Sequence, residues 1–201
     1  RRFLAAAPVA AGMLGGCAAG ISLEQGLFNE CRRPGGHRVL RDRLVRAAWD
    51  GVDATKAWDC HAHLFGNGRG APGIYLNPEF DRPATLAARV RRAFFLNAAC
   101  AGEDEDSLDA AVVRRLEHLA DELPAGAKVM LLAFDHVHDA DGRRRDDLST
   151  FAVADAYAAQ VARRRPDRFE WIASIHPYRQ DAMAALASAA KSGARAVKWL
   201  P

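Results

Sequence analysis

The sequence predicts an α/β protein built on a parallel sheet, and three observations carry that expectation. Val129 to Val137 and Phe169 to Ile175 are nearly continuous apolar runs, the pattern of strands covered on both faces. Stretches with apolar residues every three or four positions separate them, as amphipathic helices require. The resulting order is strand, helices, strand, helix, strand, helix, strand, which is the alternation of an α/β fold. With 50% hydrophobic and 26% charged residues in 201, there is enough apolar material for a core.

Residues 18 to 37 read as loop, with Pro34-Gly35-Gly36 marking a turn. A short helix follows, with Leu40, Leu44, Val45 and Ala48 on its apolar face and Gly51 at its end. Ala57 to Leu64 is the first strand, and a glycine-rich loop runs from Gly66 through Gly73. A helical region starts near Pro83, and its Leu86, Val90 and Phe94 are expected to pack on the sheet. After Ser107, Leu108, Val112, Leu116, Leu119 and Leu123 line one side of a helix that stops at Pro124.

The second strand occupies the run from Val129, and an arginine-bearing polar loop leads to a helix capped at Ser149 or Thr150. Val153, Tyr157 and Val161 form that helix's inner face, and Pro166 lies just beyond it. Phe169 to Ile175 is the third strand and ends at His176-Pro177. A helix over Asp181 to Lys191 is expected to turn Met183, Leu186, Ala187 and Ala190 inward, with Gly193 at a left-handed C-terminal position. Ala194 to Leu200 is the fourth strand.

This order fits an open doubly wound sheet or a closed eight-stranded barrel, and periodicity does not choose between them. Neither GxGxxG nor GxxxxGK[ST] follows a strand, which removes the main signature of nucleotide-binding versions. The formal charge is +3, and it falls to +1 without Arg1 and Arg2. Nucleic-acid binding therefore has no electrostatic support. The arginine clusters around Arg91, Arg144 and Arg164 alternate with acidic stretches and read as solvated surface.

The chemistry concentrates at His61-Ala62-His63. Along a strand, residues two apart leave the same face, so both imidazoles can converge on one ion while Cys60 and Ala62 turn toward the helices. Neutral imidazole is a common ligand of zinc and similar ions. The pair also ends the first strand of a parallel sheet, where such folds place their sites. Asp135 and His176 end the next two strands and are expected to line the pocket as substrate-binding groups or to support the ligands from behind, each with a structural role such as loop capping as the alternative. His136 and His138 read as loop residues.

The first sixteen residues form a targeting segment rather than a fold element. Arg1-Arg2-Phe3-Leu4 resembles a twin-arginine export signal, and Leu14-Gly15-Gly16-Cys17 resembles a bacterial lipobox, which implies lipidation of Cys17. The apolar run from Phe3 to Gly16 is shorter than the roughly 20 residues a membrane-spanning helix needs. An exported protein is expected, periplasmic or anchored to a membrane through lipid, with residues 17 to 51 as an N-terminal arm and short helix. Cys31, Cys60 and Cys100 lack the spacing of a zinc knuckle. Export permits one disulfide, involving Cys31 in the arm, but nothing selects its partner.

Trp58-Asp59-Cys60-His61-Ala62-His63-Leu64, Ile175-His176-Pro177 and Gly193 to Pro201 together resemble the amidohydrolase superfamily, in its amidohydrolase-related branch of hydrolases and decarboxylases. The resemblance covers Ala57 to the C-terminus, and only the HxH motif is strongly diagnostic. It implies that residues 52 to 201 are the N-terminal half of a (β/α)8 TIM-type barrel, ending after strand four. It implies His61 and His63 as metal ligands, a divalent ion such as zinc, and a small-molecule substrate. It also implies a catalytic place for Lys198, at the position where binuclear members carry a carbamylated lysine. The histidines of strands five and six and the aspartate of strand eight are absent, so the chain is expected to be a truncated product with little turnover by itself. The expected reaction is hydrolysis of C–N, ester or lactone bonds. Decarboxylation on the same fold and a non-catalytic exported binding lipoprotein are the alternatives.

Overall fold

The computed structural model describes residues 42–70, 72–100 and 107–199. The export signal, Cys17, Cys31 and most of the arm lie outside the described residues. Six strands, six α-helices and one short 3-10 helix (Ala54–Lys56) are described: β1 (Trp58–His63), β2 (Ile74–Leu76), β3 (Lys128–Leu132), β4 (Phe151–Val153), β5 (Phe169–Ser174) and β6 (Ala196–Lys198), with α1 (Arg43–Ala48), α2 (Pro78–Asp81), α3 (Leu86–Ala98), α4 (Leu108–Asp121), α5 (Asp155–Arg164) and α6 (Ala182–Lys191).

The main sheet has the order β1-β3-β5-β6, and all its pairings are parallel. These are the four strands expected from the sequence, in that order. Laid flat, strands spaced about 4.8 Å apart would put β1 and β6 roughly 14 Å from each other. Instead their side chains meet. Lys198 Nζ lies 3.3 Å from His63 Nε2, and the Arg195 guanidinium sits 5.8 Å from the Trp58 ring centroid. The sheet is curled into a half-barrel, and its two edge strands reach each other across the concave face.

Burial on both faces follows from the sequence of β3 and β5. Val129, Leu131 and Ala133 alternate toward the convex side, as do Phe169, Trp171, Ala173 and Ile175. There they join Tyr157, Ala158, Val161 and Ala162 of α5 in the main core. Met130, Leu132 and Ile172 form a separate cluster on the concave side. Each such buried aliphatic side chain is worth about 1.5–3 kcal/mol relative to exposure. At the opening end of the strands, Glu170 accepts from Lys128 Nζ at 2.8 Å and from Arg195 Nε at 3.0 Å, clamping β3, β5 and the start of β6.

Several helix faces differ from the expected ones. On α3, Ala93, Leu96 and Asn97 are buried, while Leu86, Val90 and Phe94 are exposed. On α6 the buried residue is Ala189, supported by partly buried Ala182 and Ala185. Met183 is 78% exposed, and Leu186, Ala187 and Ala190 are exposed as well. In both helices two apolar stripes run side by side; on α3 the buried stripe packs through Leu96 against Leu108, Ala111 and Val112 of α4 rather than on the sheet, and on α6 the small alanines face the core, where they allow closer approach. α1 buries nothing, Leu44 included, and Leu119 of α4 is also exposed.

A second, two-stranded antiparallel sheet, β2 with β4, was not expected. Phe151 to Val153 form β4 where the sequence suggests the first turn of a helix. α5 begins only at Asp155, and Ser149 spends its hydroxyl on Arg145 O and its acceptor capacity on Val137 N. An aromatic and a β-branched residue in a three-residue stretch favour the extended state once a partner strand is present. The apolar run after Lys128 likewise ends its regular pairing at Leu132, and Phe134 then forms an isolated bridge to Val153. This small sheet therefore sits beside the ends of β3 and β5, against the expected site.

Candidate functional site

β1 delivers the histidine pair, and it does so through an irregularity. Asp59 pairs with Val129, but Ala62 pairs with Leu131, so three steps on β1 match two on β3. One extra residue makes a bulge, which bends the strand and re-aims its side chains. Asp59 Oδ1 accepts from His61 N at 2.9 Å within the bulge. Ala62 turns to the core as expected, whereas Cys60 is exposed rather than covered by helices, because β1 is an edge strand and the bulge breaks its alternation.

His61 Nε2 and His63 Nε2 lie 3.1 Å apart. Lys198, at the other edge of the sheet, brings Nζ to 3.3 Å from His63 Nε2 and to 5.1 Å from the Phe134 ring centroid, which is itself 5.8 Å from His63. Lys198 thus points to the concave side, with Val197 and Trp199 exposed on the other. Burial, followed by the charges of Lys198 and His61, lowers the His63 pKa to about 4, and burial lowers that of Lys198. At neutral pH His63 is therefore an uncharged imidazole with lone-pair density to offer. Its Nδ1 is buried and has no hydrogen-bond partner.

The donor set can be compared with what a divalent ion needs. Two nitrogens each about 2.0–2.1 Å from a tetrahedral zinc are roughly 3.3 Å apart, close to the observed separation. Two positions are thus matched. No group of three or more His, Cys, Asp or Glu that could hold a metal is found among the described residues. Lys198 would contribute only as a neutral amine or in a modified form. The unpartnered His63 Nδ1 also lacks the acceptor that ordinarily orients a ligating imidazole.

The other expected residues meet in a second cluster. Asp135 Oδ1 accepts from His136 N, and Oδ2 accepts from His176 N and from Arg179 Nη1 at 3.0 Å, while Asp135 N donates to Ser174 Oγ. With both oxygens so engaged, Asp135 ties the ends of β3 and β5 together. His176 is buried, and its pKa is lowered by that burial and by nearby His138. His136 Nδ1 lies 2.9 Å from Asp146 Oδ1, off line for a hydrogen bond, and its pKa is lowered chiefly by burial.

Beside this cluster is a cavity of about 940 Å³ whose lining includes Tyr75, Phe134, Asp135, His138, Asp155 and Arg179. His61, His63 and Lys198 do not line it. Phe134 is shared: it lines the cavity and its ring also neighbours His63 and Lys198. Asp155, at the first turn of α5, has its pKa raised by burial, against the bond that Oδ1 receives from Ser174 N.

The glycine-rich loop after β1 is held by a residue that the sequence did not single out. Asp109, 1% exposed in the first turn of α4, accepts from Asn67 N at 2.6 Å, Gly68 N at 3.1 Å and Gly70 N at 2.8 Å. A Cβ at Gly66 would fall 1.9 Å from Asp109 Oδ1, and one at Gly70 2.0 Å from Ser107 Oγ, so glycine is needed there for close approach. Its acidic position two residues after Ser107 was the available signal, but helix N-termini favour acidic residues in any case. Cys100 is disulfide-bonded and Cys60 is a free thiol.

Comparison of the chain with protein-family models, with curated proteins and with solved structures finds no match. No helix among the described residues is long and apolar enough to cross a membrane.

Proposed function

We propose that this chain carries the first half of a metal-dependent hydrolase of the amidohydrolase type, with β1, β3, β5 and β6 as strands one to four of a TIM-type barrel. The observation that carries the reading is the convergence of His61 Nε2, His63 Nε2 and Lys198 Nζ from opposite edges of one curled parallel sheet, within 3.3 Å of one another along the chain of contacts. His61 and His63 would hold the ion, zinc by ligand preference, which when bound supplies Lewis acidity and an acidified water. The chain's own residues bind and orient: the bulge with Asp59 aims His61, burial keeps His63 neutral, and Phe134 packs against His63 and Lys198 on the cavity side.

Two imidazoles and one amine fill too few positions to hold an ion tightly, so the 201-residue chain by itself is expected to bind weakly and turn over little. The missing third ligand among the described residues also favours a second reading, an exported module that binds a small molecule without chemistry. In either reading export and a lipid anchor at Cys17 belong to the proposal. The test is cobalt titration of the purified chain, followed by absorption and calorimetry. One site is expected, and it should be lost in His61→Ala and in His63→Ala. Cobalt binding that survives both substitutions would overturn the ligand assignment, and no binding at millimolar cobalt would leave the module.

A further inference from the structure

Two more imidazoles meet at the same end of the sheet, and the backbone dictates where each carries its hydrogen. His138 Nδ1 lies 2.9 Å from the carbonyl oxygen of His136. A carbonyl only accepts, so Nδ1 bears the hydrogen and Nε2 of the neutral ring is a bare lone pair. His176 is the reverse. The backbone N–H of Tyr178 donates to its Nδ1 over 3.2 Å, so the hydrogen of its neutral ring is on Nε2.

The two rings are neighbours, with centroids 5.1 Å apart and planes tilted by 41°. Asp135 accepts from His176 N and from His136 N, and His136 in turn is the residue whose carbonyl holds the His138 ring. The Tyr178 ring closes the other side of His176 at 5.5 Å. Ser174 is paired with Lys198, and His176 stands two residues, about 7 Å, further along the same strand direction. His138 lines the 940 Å³ cavity together with Phe134, the ring that also packs against His63 and Lys198.

The two neighbouring rings therefore carry one donor, His176 Nε2–H, and one acceptor, His138 Nε2. We propose that His138 and His176 form a recognition subsite for the edge of a cis-amide, as found in a lactam, an imide or a cyclic urea. The C=O of that group accepts from His176, and its N–H donates to His138, each through a bond of about 2.9 Å. A carboxylate offers two acceptors and would set a lone pair against His138. A lactone or ketone has no donor and would leave His138 unpaired. A buried polar group left without its partner is what makes such a site discriminate. This deepens the hydrolase reading by naming the class of group its substrate presents, and it rests on that reading only for the chemistry beyond Phe134.

The test has two stages on the ¹⁵N-labelled 201-residue chain. Long-range proton–nitrogen spectra at pH 8, above the ordinary histidine range near 6.5, report each ring's tautomer directly. The expected result is hydrogen on Nδ1 of His138 and on Nε2 of His176, and the opposite or an averaged tautomer at either ring overturns the proposal. The chain is then titrated with 2-piperidinone, with N-methyl-2-piperidinone and with cyclohexanone. The lactam should shift both ring signals and bind at least tenfold more tightly than the two probes that lack N–H. Equal affinity for all three, or lactam shifts confined to other residues, overturns it. His138→Phe and His176→Phe should each erase the preference, and if either variant unfolds the wild-type comparison of the three probes decides. The preference should persist in His61→Ala, so lost cobalt binding and lost lactam preference are separate failures.

Discussion

Replacing Asp109 tests whether the loop after β1 is held by one carboxylate. In Asp109→Asn an amide nitrogen takes the place of one oxygen. With the oxygen kept toward Asn67 and Gly68, the new NH₂ faces Gly70 N–H, donor against donor; flipped, it keeps Gly70 and loses the other two. At least one charge-assisted bond is lost in either orientation, and such bonds are worth about 1.5–3 kcal/mol each. The side chain is 1% exposed, so water does not replace the lost acceptor without opening the site. The expected loss is about 2–3 kcal/mol for Asp109→Asn. For Asp109→Ala it is about 4 kcal/mol, short of three full bonds because the freed loop amides recover some hydration. Urea unfolding followed by circular dichroism reads this as a midpoint lowered by roughly 1 M or more, at a slope of about 1–3 kcal/mol/M. Amide exchange should lose protection at Asn67, Gly68 and Gly70. If both variants stay within about 0.5 kcal/mol of wild type, a range ordinary for surface changes, the clamp is not what holds the loop.

Three further outcomes follow from the same geometry. Gly66→Ala puts a Cβ where Asp109 Oδ1 lies and should cost about 2–4 kcal/mol in the same assay; a neutral result would mean that the loop moves freely away from α4. The Glu170 pKa is held below its usual range, first by Arg195 and then by Lys128, so its contribution is present above the unfolded value near 4.3 and is lost as pH falls through the folded one. Glu170→Gln should therefore cost about 1–2 kcal/mol at pH 7, with the gap to wild type closing below about pH 4, and a gap that does not change with pH would refute the charge argument. On α6, Met183→Gln should change stability by less than about 0.5 kcal/mol while Ala189→Gln costs about 2 kcal/mol or more; the reverse order would restore the helix face expected from sequence.

The sequence by itself determined the order of elements and the parallel pairing of four strands, because two-sided burial leaves an unbroken apolar run at Val129 and at Phe169, and the helices between them force crossovers. It also placed His61, His63 and Lys198 at strand ends, since alternation along a strand is a local property. It misjudged α3 and α6, where each helix carries two adjoining apolar stripes, and the choice between Met183 and Ala189 depends on how closely the helix approaches the sheet. It missed β4, because three residues adopt an extended form only when β2 is there to pair with them. Tertiary structure alone decided the curl that brings Lys198 to His63, the bulge that exposes Cys60, and the reach of Asp109 back over some forty residues to its loop. The same holds for the opposed tautomers of His138 and His176. Each is set by a partner distant in sequence or by a backbone turn, and a pattern of residue types does not encode distance.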